Sequence, residues 1–71
     1  MNCDYRKLRG RIKEKYETQN NFAEKLGIGR VSLSAKLTGR NDFSQSEIYK
    51  SSKLLEIEEE DISKYFFTPK V

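Results

Sequence analysis

Apolar residues recur along the first part of the chain at helical intervals. Tyr5, Leu8, Ile12 and Tyr16 step by three, four and four, which lines them on one face and predicts a first helix over 5–16 with Asp4 as its cap. Phe22, Ala23 and Leu26 form the inward side of a shorter helix over 19–26, for which Thr18 is a good N-cap. Leu33 and Leu37 are the buried stripe of a third helix over 30–38, ended by Gly39.

Between the second and third helices stand Gly27 and Gly29. A glycine just past a helix end takes positive φ at little cost, so Gly27 predicts a sharp turn that drops Ile28 inward, with Gly29 a weak cap for the third helix. A single rod over 19–38 would carry both glycines in its interior at about 1 kcal/mol each, which disfavours it. Farther on, Ser44 and Glu47 fit a capping box, and Phe43 and Ile48 have the spacing of a hydrophobic staple. They predict a fourth helix over 45–55 that buries Ile48 and Leu55, with Ser51 or Ser52 at a close approach. The acidic run Glu58–Asp61 suits the positive end of a last short helix carrying Ile62, Tyr65 and Phe66. The pattern predicts an all-α chain, a single domain over 1–71 with one modest core.

Composition narrows the chemistry. The chain has one cysteine and no histidine, which excludes a disulfide framework, the usual zinc sites and nucleophile–His catalysis. Cys3 reads as an incidental thiol; no catalytic pair, metal site or cofactor motif is expected, and no enzyme. No stretch approaches the ~18 apolar residues of a membrane span, and the first residues show no signal-peptide run, so a soluble protein of the cytoplasm is expected. The net charge of +3 is unevenly spread: residues 1–40 carry 10 Lys/Arg against 4 Asp/Glu, and residues 41–71 carry 4 against 7. A basic front of this kind suits a negatively charged partner, nucleic acid above all.

Helix, glycine turn and helix within about twenty residues is the helix-turn-helix pattern. With Thr18-Gln19, Phe22-Ala23, Leu26-Gly27-Ile28, Leu33 and Thr38-Gly39 in place, the chain resembles the lambda repressor and Cro class of five-helix DNA-binding domains. The stretches "YRKLRGRI", "NFAEKLGI", "SLSAKLTG" and "EEDISKYFF" look more closely like short temperate-phage proteins of Gram-positive hosts. The resemblance implies a lambda-repressor-like fold with Gln19, Arg30, Val31 and Ser34 at the major groove, Gln19 bracing Arg30 or bonding a phosphate, and Arg30 bonding guanine. Thr18, Thr38, Arg40 and Asn41 are implied as phosphate contacts. Lys36 departs from the class, which usually has an apolar residue there; its stem is expected to pack while its ammonium reaches water. Stepping 100° per residue away from Leu33 and Leu37 puts Val31, Ser34, Ala35 and Thr38 on the exposed arc, a face without Asn or Gln.

Two functions from different classes are consistent with these features. The first is a Cro-like regulator that reads double-stranded operator DNA in a temperate-phage switch. The second is an antirepressor that keeps the fold and binds the DNA-binding domain of a phage repressor, for which the soft arc of helix three is suited. The tail adds an open question of assembly. Tyr65, Phe66 and Phe67 cannot all face one core, so either one lies on the surface or helix five and Phe67 form a homodimer contact.

Overall fold

A computed structural model describes residues 3–70. The elements are α1 (Arg6–Tyr16), α2 (Gln19–Leu26), α3 (Arg30–Leu37), α4 (Gln45–Leu54), a 3₁₀ turn (Glu59–Asp61) and α5 (Ile62–Phe66). The fold is all-α with five helices, and the first four lie within a residue or two of their expected bounds. Among the described residues the sole sheet-like pairing is one bridge between Cys3 and Pro69, which with Asp4 N–H to Thr68 C=O (2.7 Å) joins the two ends of the chain.

Local chemistry sets the corners. The N-cap of α1 is Tyr5, with no side-chain cap bond, and not Asp4 as expected; Asp4 stands one residue earlier, where its carboxylate accepts the Arg6 backbone N–H at 2.9 Å and clasps the Arg6 guanidinium at 2.8 Å. At the α1–α2 corner Glu17 takes φ 67°, with Thr18 N–H donating to Tyr16 C=O at 2.7 Å; this tight γ-turn is held by Asn21 Nδ2 on the same carbonyl and by Thr18 Oγ1 capping Asn21 N–H. Gly27 takes φ 87°, and both its N–H and that of Ile28 donate to Ala23 C=O, so α2 stops and α3 leaves in a new direction. Gly29 sits at an ordinary φ of −72° with nothing within 4 Å of where a Cβ would stand, so of the two glycines only Gly27 is required by the backbone.

The core gathers one face of each helix. Phe22, Leu33, Leu55, Leu8, Ile12 and Phe66 are fully buried, and Tyr5, Phe43 and Phe66 form an edge-to-face chain with ring centres 5.5 and 5.3 Å apart. The capping box closes the start of α4: Glu47 N–H donates to Ser44 Oγ (3.2 Å), and Ser44 N–H to Glu47 Oε1 (2.8 Å). Ser51 and Ser52 are both buried; Ser52 donates to Tyr49 C=O, whereas the Ser51 hydroxyl has no hydrogen-bond partner.

The Lys36 side chain is 15% exposed, and its ammonium has partners that sequence reasoning missed: it donates to Asp42 C=O and pairs with Glu47 Oε1, each at 3.2 Å. The carboxylate that completes the α4 capping box therefore also holds α3. Burial pushes the Glu47 carboxyl up, but the Ser44 N–H and Lys36 outweigh that and hold it below the usual range.

No helix among the described residues is long and apolar enough to cross a membrane.

Candidate functional site

The outward side of α3 is where the fold leaves side chains without internal partners. Arg30, Val31 and Ser34 are exposed there together, Val31 at 72%, the most exposed large apolar side chain of the described residues. Ala35 does not belong with them. Helical arithmetic puts it on the exposed arc, yet it is only 6% exposed, because the chain doubles back after α3 and the N–H groups of Arg40 and Asn41 both donate to its carbonyl. Angle alone does not register a returning loop.

The remaining candidates do not converge on one point. Gln19 is exposed and lines a shallow groove with Arg9, Ile12, Lys13 and Glu17; neither it nor Arg30 makes a side-chain hydrogen bond, so the bracing of one by the other is absent. Thr38 lines a separate cleft of roughly 370 Å³ with Asp4, Arg6, Arg9 and Lys70. Its hydroxyl proton is directed at the Ser34 and Ala35 carbonyls (3.0 and 3.2 Å), which leaves none to offer a phosphate. In the same cleft the hydrogen bonds from Arg6 hold the Asp4 carboxyl down to about 2. Thr18 uses its oxygen as an N-cap acceptor and keeps its proton. The Arg40 and Asn41 side chains are exposed.

The basic front, which the sequence presents as a surface for a negative partner, is largely turned to internal use. Arg9 donates to the last carbonyl of α3, Leu37, at 3.2 Å. Arg11 donates to Leu55 and Glu56 carbonyls just past α4 (2.9 and 3.2 Å) and pairs with Glu14, while the Tyr16 hydroxyl donates to the Leu54 carbonyl. Lys15 pairs with Glu56 at 2.9 Å, and this contact holds the Glu56 carboxyl below its ordinary range. Lys7 lies over the Tyr65 ring, and Lys50, from the acidic half, donates to the Leu26 carbonyl at the end of α2. Cations at helix C-termini meet orphan carbonyls and the negative end of the dipole at once. Of the ten Lys/Arg up to residue 40, the side chains of Lys13, Lys25, Arg30 and Arg40 alone make no hydrogen bond, ion pair or ring contact among the described residues.

Two exposed aromatics complete the surface. Tyr49 on α4 is 65% exposed with the Lys53 ammonium over its ring; sequence reasoning missed it, although it lies off the Ile48–Ser52–Leu55 stripe by the same arithmetic that picks out Val31. Phe67 is 49% exposed beside the buried Phe66, with Tyr65 half-buried.

Against known proteins, the model of a family described as "Protein of unknown function (DUF739)" matches residues 1–69. No curated protein matches the chain. Among solved structures, the chain is similar to the modulator of repression of the temperate bacteriophage TP901-1 from Lactococcus lactis, seen in its solution structure. The two are 42% identical, the match covers 100% of this chain and 96% of that one, and the TM-score is 0.83.

Proposed function

We propose, from the premise that the chain belongs to the DUF739 family, that it modulates repression in a temperate-phage switch by binding the DNA-binding domain of the phage repressor through the α2–α3 face. End-to-end similarity to the TP901-1 modulator of repression supports the regulatory role. The observation that favours a protein partner over DNA is the make-up of the α3 face: an outward Val31, a small Ser34 and no amide side chain to read a base edge.

Charge supports the same choice. With Lys13, Lys25, Arg30 and Arg40 as the uncommitted cations of the basic half, full engagement on a duplex gives a slope of log affinity against log salt of about −3 to −4. Proteins that hold DNA through six to ten phosphates show slopes of about −5 to −9. One observation favours direct reading of operator DNA: Arg30 stands exposed and unbonded at the first residue of α3, where it can reach a guanine. In either case the protein acts in the host cytoplasm as a single domain, with no cofactor.

Titration calorimetry with the repressor of the same phage, and separately with operator duplex, tests the proposal. The expected result is a 1:1 complex with the repressor and no sequence-specific binding of the duplex by the chain alone. Tight, steeply salt-dependent operator binding without a repressor complex would replace it by the Cro-like reading. Mass in solution decides the dimeric reading of helix five, since a monomer at high micromolar concentration removes Phe67 as a dimer contact.

A further inference from the structure

We infer, resting on the proposal that the α2–α3 face docks on a protein, that the surface it meets is an apolar patch flanked by carboxylates. Arg30 opens α3 and Arg40 lies in the loop that folds back on Ala35; both are exposed, and neither side chain touches a carboxylate, a carbonyl or a ring among the described residues. The large exposed apolar side chain of α3 is Val31, with the small Ser34 also exposed. The start of this helix adds to the positive charge: Gly29 offers no side-chain acceptor, and the first turn holds no acidic residue. In contrast, α2 is capped by Thr18 and α4 by Ser44 and Glu47. An exposed guanidinium at the first position of an uncapped helix sets a full charge and a dipole end of the same sign side by side.

The chain's own carboxylates do not neutralise this face. Glu17 and Glu24, which have no ion pair, line a different groove with Lys15, Tyr16, Asn21 and Lys25. The unmet groups on α3 are thus hydrogen-bond donors and positive charge around one apolar side chain, and their complement is a set of acceptors and negative charge around a shallow apolar pocket. The partner therefore presents acidic groups beside an apolar recess with room for a valine-sized group. Phosphates would satisfy the two arginines but offer Val31 nothing beyond a thymine methyl, which is why a protein surface is the better complement.

The test measures affinity of the full-length chain for the repressor at two salt concentrations, using Arg30→Glu, Arg40→Glu and the conservative Arg30→Lys, with circular dichroism to check the fold. Each reversal is expected to weaken the complex by about tenfold or more, mainly through a slower on-rate, whereas Arg30→Lys stays within about threefold. An acidic residue of the repressor changed to Lys restores binding of the Arg30→Glu chain. If the reversals leave affinity unchanged or strengthen it, the partner surface is neutral or cationic and this inference falls while the repressor-binding proposal stands. If no repressor complex forms with the unmodified chain and the reversals abolish operator binding instead, both fall. Arg30→Gln and Arg40→Gln, which lose charge without introducing repulsion, decide the question in the same way should a reversal disturb folding.

Discussion

Helices α3 and α4 are of similar length, 8 and 10 residues, and are finished in opposite ways. The start of α4 is closed twice, by the Ser44 hydroxyl and by the Glu47 carboxylate that also grips Lys36, and its end is met by Arg11 and Tyr16. The start of α3 has a bare glycine and an arginine, and only its end is satisfied, by Arg9. Helix α4 is completed by its own molecule, and α3 is completed on its inner side alone. The difference separates internal polar closure, where stability is set, from unmet polar and apolar groups on the face proposed to meet the repressor.

The sharpest break of this contrast lies within α3 itself. Leu33 is fully buried, and Leu33→Ala is expected to cost about 2–5 kcal/mol, whereas Val31→Ala two positions away should change stability by no more than about 0.5 kcal/mol; urea denaturation of both variants measures the gap. Next in size is Arg11→Ala, which leaves the Leu55 and Glu56 carbonyls without their charged donor and should cost about 1–3 kcal/mol in the same assay. Smaller again is a pair of cap exchanges read by thermal melting. Ser44→Ala is expected to lose about 1 kcal/mol, while Gly29→Ser, at an ordinary φ with open space for a side chain, should gain a few tenths.

The smallest effect is one of pH. Glu47 is depressed by its Ser44 and Lys36 contacts, so its contribution is fully present above the ordinary carboxylate range and is lost as pH falls through its lowered folded value. Asp4, held at about 2 by Arg6, adds to the same decline at the acid end. Melting temperature should therefore fall between roughly pH 5 and pH 2, and Glu47→Gln should flatten the upper part of that slope.

What could be read in advance was what is local in the chain. The Ser44–Glu47 box, the Gly27 turn and the Tyr5–Leu8–Ile12–Tyr16 stripe depend on residues within a few positions of one another, and the structure places all of them as expected. The errors involve returns of the chain. Ala35 is covered by a loop five residues on, Lys36 is drawn to a carboxylate eleven residues away, and Arg11 meets a carbonyl 44 residues away. No periodicity marks such partners, so from sequence the basic half looks more available than it is. On the candidate face, the exposure of Val31 and Ser34 was legible from angle, and Arg30 was implied by the family resemblance; that Thr38 has no proton to give was not legible, because a hydroxyl's direction is decided only once the helix end exists.

The closure of α2, α3 and α4 by distant side chains has a consequence for how the molecule comes into being. Lys50 serves the end of α2, and Arg11 and Tyr16 wait for carbonyls at 54–56. A chain cut at residue 40 holds all of α2 and α3 and keeps Thr18 and Arg9 at their ends, yet lacks Lys50 and the core side chains Phe43, Leu55 and Phe66. A peptide cut to α2–α3 alone, two helices of eight residues each, is therefore expected to show little helical circular dichroism.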